Sequence, residues 1–199
     1  MGGFKMKRLL ILCALLSCVF ALGFSQIGTN IFAGFNWGLS TNESTPGVLT
    51  GAASAVHTID FGLLVDYEVA EGFSIGAGIG GAIPLTSGIL VTAAPGADST
   101  ELKYFLDGLL GISYMYPLPP VVLKADVLGG ISFFDLTRLG EFGFLVKAKF
   151  SLGYTIGQFT ISVGAGYEMR QYSVKPATAE NAKITFSSIP IELGVTVRF

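Results

Sequence analysis

Residues 188–199 read SIPIELGVTVRF. Taken in twos, Ile189, Ile191, Leu193, Val195, Val197 and Phe199 fall on one face. Ser188, Pro190, Glu192, Gly194, Thr196 and Arg198 fall on the other. Such alternation is the period of a β-strand, whose successive side chains point to opposite sides. One face is wholly apolar, the other carries a carboxylate and a guanidinium, and the run closes on phenylalanine. A terminus of a soluble chain more often frays into polar residues. The strand therefore has to be read with the rest of the chain.

Composition narrows the choice. Of 199 residues, 51% are hydrophobic and 13% charged, with a mean hydropathy of +0.63. Soluble domains carry roughly 25% charged residues. Beyond the first residues, no segment reaches the roughly 18 uncharged apolar residues of a membrane-spanning helix. The remaining options are a large buried β core and a β-barrel in a membrane.

Lys5, Lys7 and Arg8 precede LLILCALLSCVFALGFS, a basic start followed by an apolar stretch with small residues near its end. This is the pattern of a secretory signal peptide. Gly23-Phe24-Ser25 places the cut before Gln26, so the expected organisation is a leader, 1–25, and a β-barrel domain, 26–199; Ala21-Leu22-Gly23 offers an earlier cut. LLSC at 15–18 is a loose lipobox, which leaves acylation of Cys18 as an alternative. Cys13 and Cys18 are the only cysteines. With cleavage after Ser25 the mature chain has no disulfide and no thiolate metal site. Losing three basic residues moves the formal charge from −2 to −5. No basic patch remains for nucleic acid.

The alternation of the last twelve residues recurs along the domain, at 27–40, 57–69, 73–83, 101–116, 121–133, 144–154 and 159–170. The second run, for example, sets Ile59, Phe61, Leu63, Val65, Tyr67 and Val69 against Thr58, Asp60, Gly62, Leu64, Asp66 and Glu68. The eighth run opens near Ile184, with a phase slip near Ser187-Ser188 that reads as a β-bulge. Eight strands of this length suit a tilted crossing of a bilayer.

Faces assigned by bulk alone can be tested with charge. Of 26 charged residues, three precede the domain and nine fall between runs; the other fourteen all lie on the small, polar faces. A soluble barrel or sandwich would bury its bulky face and expose its charged one. A ring of strands, greasy outside and polar inside, satisfies every backbone group within hydrocarbon. The fold class is all-β: an up-and-down, antiparallel, eight-stranded transmembrane barrel.

Connections agree with that reading. Short links at 70–72, 117–120 and 155–158 alternate with longer ones at roughly 41–55, 87–100, 135–141 and 173–183. That is the rhythm of tight periplasmic turns and long external loops. Aromatics on the bulky face sort toward the two ends. Tyr67, Phe73, Tyr114, Tyr116, Tyr154, Phe159 and Phe199 lie near the short turns, and Trp37, Tyr104, Phe133, Phe144 and Tyr167 near the long loops. These are interfacial girdles.

With its leader, eight strands, four long loops and terminal Phe199, the chain resembles the small outer-membrane barrels: OmpW, OmpX and the membrane domain of OmpA. The resemblance is architectural, over residues 26–199. It implies residence in the outer membrane among its lipids, and insertion by the barrel assembly machinery, which reads a last strand ending in phenylalanine. An OmpW-like member implies a narrow route or pocket for small hydrophobic solutes. OmpX- and OmpA-like members imply a plugged barrel with exposed loops that serves structure, adhesion or contact with host surface ligands.

Two tempting signals lead elsewhere. Gly76, Gly78 and Gly81 satisfy a GxGxxG pattern, but no helix follows, and small residues suit a tapering interior. His57, the only histidine, lies near Ser54, a pairing that some lipid-remodelling barrel enzymes use. No carboxylate is placed to orient it as a triad requires. The chain reads as non-enzymatic, with no cofactor and no metal site.

The lumen carries the most specific information. Its charges are Asp60, Asp66, Glu68, Glu101, Lys103, Asp107, Lys124, Asp126, Lys147, Lys149, Glu168, Arg170, Glu192 and Arg198. Counting from the turns puts Lys147, Lys149, Asp126 and Glu192 near mid-height, with Lys149 facing Asp126. Together with Glu168, Asp107 and Lys124 they form the candidate charge network. It is either a salt-bridged plug or a selectivity constriction. Phe32, Leu64, Phe105, Leu109, Leu128, Phe134 and Leu145 also face inward, and of these Leu64, Phe105, Leu109, Phe134 and Leu145 would line a shallow apolar pocket open to the outside.

Overall fold

A computed structural model describes residues 27–44, 49–50, 55–92, 99–134, 142–174 and 182–199. The expected leader with both cysteines, and Ser54, lie outside them. In chain order the strands are β1 (Ile27–Glu43), β2 (Leu49–Thr50), β3 (Thr58–Ala70), β4 (Phe73–Pro84), β5 (Leu90–Thr92) and β6 (Ser99–Glu101). They continue with β7 (Phe105–Leu118), β8 (Val121–Phe133), β9 (Phe142–Ile156), β10 (Phe159–Val174) and β11 (Ala182–Arg198). Eight of these close a barrel in the order β1-β11-β10-β9-β8-β7-β4-β3. All its pairs are antiparallel. The seam is the β1–β11 pair, which runs from Gly28 opposite Arg198 to Glu43 opposite Ile184.

Alternation places each side chain. Odd-numbered residues of β9 are buried and even-numbered ones exposed from Gly143 to Leu152, so Phe144, Val146, Phe150 and Leu152 face outward while Leu145, Lys147, Lys149 and Ser151 face inward. The outer surface is an unbroken apolar belt; Phe150 is 76% exposed and Ile79 67%. A belt of this extent with the charges held inside is stable against hydrocarbon and not against water. Tight turns join β3 to β4, β7 to β8 and β9 to β10. Gly72 and Gly157 sit in two of them at φ of 73° and 61°, a left-handed region that glycine enters without cost.

Three expectations need correction. The fourth barrel strand starts at Phe105, not near 101. Glu101 instead pairs with Leu90 in a small sheet of order β2-β5-β6, and Leu102 donates its N–H to the Ile89 carbonyl. Glu101 and Lys103 therefore leave the lumen and form an exposed pair at 3.6 Å. Leu102 is buried rather than lipid-facing. The bulge lies on β1, between Gly38 and Ser40, because β11 keeps one phase throughout and turns Ile184 and Phe186 inward. His57 precedes β3 and accepts a hydrogen bond from the Gly38 N–H at 3.0 Å, with its ring against Trp37 and Phe35.

Candidate functional site: the lumen

The lumen is crossed near mid-height by ion pairs that tie opposite walls. Lys147 on β9 reaches Glu168 on β10 at 3.0 Å, Asp60 on β3 at 3.5 Å, and Glu192 on β11. Lys149 pairs with Glu192 at 2.6 Å and stands 3.8 Å from Asp126. Asp126 in turn holds Lys124 at 2.9 Å. Arg170 on β10 meets Asp107 on β7 at 2.9 Å, Asp60 at 3.7 Å, and Glu168. Neutral groups complete the set. The Asn36 amide donates to Asp60 at 2.7 Å and to Glu168 at 3.0 Å, and Thr58 donates to Asp60 at 2.8 Å.

Thus Lys147, Lys149, Asp126, Glu192, Glu168, Asp107 and Lys124 belong to one connected cluster. Asp60, Arg170 and Asn36 are as central, although their residue type and parity alone gave no reason to rank them above other inward positions. Near-complete burial of so many charges is tolerated only because each meets an opposite charge or a dipole.

Beside the ion pairs lies an apolar layer of Phe32, Leu64, Leu109, Leu128 and Leu145. Both lysine ammonium groups lie 5.4 Å from the centre of the Phe32 ring, a cation–π distance. Glycines across the ladder make room for these large residues. Phe32 faces Gly62, Leu64 faces Gly78 and Leu128 faces Gly111, and a Cβ at any of the three glycines would collide with its partner's side chain. Gly78, at the centre of the stretch that mimicked a nucleotide motif, is thus a packing partner of Leu64.

Toward the long loops a second cluster closes the mouth. Phe105, Phe134, Tyr172, Ile184 and Leu102 pack with Val91 of β5 and with Ile89 just before that strand. Tyr172, one step beyond the expected end of its strand, stacks on Phe105 with ring centroids 5.8 Å apart. Its hydroxyl shares a 2.5 Å hydrogen bond with Ser132, which donates to Asp107, so the apolar cap and the charge cluster are joined. The residues expected to line an open pocket pack against one another: Leu64, Leu109 and Leu145 in the layer, Phe105 and Phe134 in the cap.

At the short-turn end the lumen opens into a vestibule of about 980 Å³, lined by Glu68, Glu71, Met115, Val122, Thr160 and Arg198 among others. Arg198 pairs there with Glu68 at 2.5 Å. Phe199 lies at the seam, its N–H donating to the Ile27 carbonyl at 3.1 Å and its ring exposed on the lipid side.

The crystal structure of Neisserial surface protein A superposes with a TM-score of 0.52 at 11% identity, covering 88% of this chain and 97% of that one. The fold is that of a small outer-membrane β-barrel. The outer membrane protein OprG from Pseudomonas aeruginosa aligns with a TM-score of 0.47 at 12% identity, over 89% of this chain and 98% of that one. No protein-family model and no curated protein matches the sequence of this barrel.

Proposed function

We propose that the chain is an integral outer-membrane barrel with a sealed lumen, serving as a structural and surface-interaction protein through its long-loop end. The observation that carries this reading is the filled mid-section. Ion pairs on one side and the Phe32 layer on the other occupy the lumen, and the Tyr172 cap lies above them. A channel needs binding weak enough to release what enters; interlocked buried ion pairs are the opposite. Surface ligands would engage the long-loop end, and outer-membrane lipids would contact the apolar belt. The last strand, ending on Phe199, would address the barrel assembly machinery.

Planar-bilayer recording tests the seal. The folded wild-type protein should give no discrete conductance steps, and apolar fluorescent probes should not compete for a saturable site inside it. Steady single-channel currents, or probe binding that Leu64→Ala and Phe105→Ala abolish, would replace this reading with a conduit for small hydrophobic solutes.

A further inference from the structure

Below the plug one carboxylate stands apart. Asp66 is 7% exposed, and neither of its oxygens has a hydrogen bond or an ion pair. Among the described residues it is the one buried carboxylate without a partner of either kind. Its register neighbours are Gly28 and Gly76, so the side chain lies over open backbone rather than against a donor. Asn30, 5% exposed, has its side-chain carbonyl oxygen unpartnered as well.

Both groups line the same small cavity of about 20 Å³, together with Ser113, Lys124 and Asp126. That is room for one water-sized occupant. Asp66 and Lys124 also line a second cavity of about 20 Å³, which shares Met115, Val122, Thr160 and Arg198 with the vestibule. The cavities thus form a series from the short-turn mouth to Asp66.

Charge says what the occupant should be. The lumen holds seven carboxylates, at Asp60, Asp66, Glu68, Asp107, Asp126, Glu168 and Glu192, against five basic groups, at Lys124, Lys147, Lys149, Arg170 and Arg198, of which Glu68, Lys124 and Arg198 are half-buried and the rest buried. An unpaired carboxylate removed from water is strongly disfavoured. We infer that Asp66 and Asn30 form a binding site for one small monovalent cation of sodium size, reached from the vestibule. A divalent ion is disfavoured, because it demands several carboxylate oxygens. Asp126, the other carboxylate of the cavity, is already held by Lys124 at 2.9 Å, and that ammonium repels a double charge twice as strongly.

The test is thermal unfolding of the folded barrel in detergent at constant pH and ionic strength, with sodium chloride exchanged for choline chloride. Sodium should raise the transition by a few degrees along a one-site saturation curve. Asp66→Asn, which removes the charge and keeps the shape, should unfold at a temperature indifferent to the exchange. Asn30→Ala should need more sodium to saturate. Sodium-23 NMR line broadening by the wild type, reversed by lithium, gives a readout that needs no variant. Equal transitions in sodium and choline without line broadening would overturn the site. So would a sodium effect that persists in Asp66→Asn, or a wild type stabilised by acid and indifferent to sodium, in which case Asp66 holds a proton.

Discussion

Lys149 and Asp126 are register partners on β9 and β8, yet the short ion pair of Lys149 runs to Glu192, two strands away, at 2.6 Å. Asp126 is held instead by Lys124 on its own strand. Register brings Lys149 and Asp126 near each other, but barrel curvature brings the ends of long side chains together across several strands. The same holds for Lys147 with Asp60 and for Arg170 with Asp107. These ties brace the walls against each other, and a ladder of backbone hydrogen bonds alone does not do that.

Removing both lysines should expose that bracing. Lys147→Ala with Lys149→Ala leaves Glu168 and Glu192 in the lumen without their ammonium partners, and breaking a buried pair costs about 3–5 kcal/mol. The temperature at which the folded band converts to the unfolded one on a detergent gel should drop clearly. Conductance should stay near zero, because Phe32, Leu128 and Leu145 still fill their layer. Adding Glu168→Gln and Glu192→Gln should recover part of the lost stability.

Asp66 and Gly28 offer a sharper packing test. A methyl group at Gly28 would meet only the Asp66 side chain at close range. Gly28→Ala should destabilise by about 1–3 kcal/mol, the usual cost of overpacking. In an Asp66→Ala background the same change should cost little. Urea titrations of the four combinations form a double-mutant cycle, and additive effects would separate the two residues.

Much of this fold is legible in the sequence. Period-two alternation located the barrel strands to within a few residues at most ends, because one greasy face leaves no freedom of register. It failed where the chain leaves the barrel. Glu101 and Lys103 keep the alternation, yet pairing to Leu90 draws the segment into a sheet over the mouth. Within the lumen, parity gave inwardness but not contact. Asp60 and Arg170 look like any other inward charges until closure sets them beside Lys147 and Asp107. Tyr172 was the next even position after Arg170, so extending the count by two would have found it.

Tyr172 is therefore a test of the cap. Tyr172→Phe keeps the ring between Phe105 and Phe134 and deletes the hydrogen bond to Ser132. Ser132 retains Asp107, so the loss should be about 1 kcal/mol. Tyr172→Ala empties a fully buried site and should cost about 3–5 kcal/mol. The midpoint of urea unfolding from lipid vesicles measures both.

Orientation is open to chemical labelling. In a chain with Cys13 and Cys18 replaced by serine, a cysteine at Lys103, exposed at the long-loop end, should react with a membrane-impermeant maleimide on intact cells. A cysteine at Gln158, in the tight turn between β9 and β10, should react only after the outer membrane is opened. The reverse pattern would invert the barrel.

Deleting Phe199 separates assembly from stability. Its N–H makes one hydrogen bond at the seam, to Ile27, and its ring is 59% exposed toward lipid. One backbone hydrogen bond contributes about 1 kcal/mol net, and the remaining β1–β11 ladder continues from Gly28 opposite Arg198. Protein refolded in detergent should therefore lose little stability without Phe199. If the last strand is an address for the assembly machinery, the yield in the outer membrane should fall far more than that small loss accounts for. Comparing the urea midpoint of refolded protein with the amount in isolated outer membranes gives both numbers from one variant. Parallel losses in the two assays would reduce Phe199 to a packing residue; a large loss in cells alone would make Phe199 a recognition element.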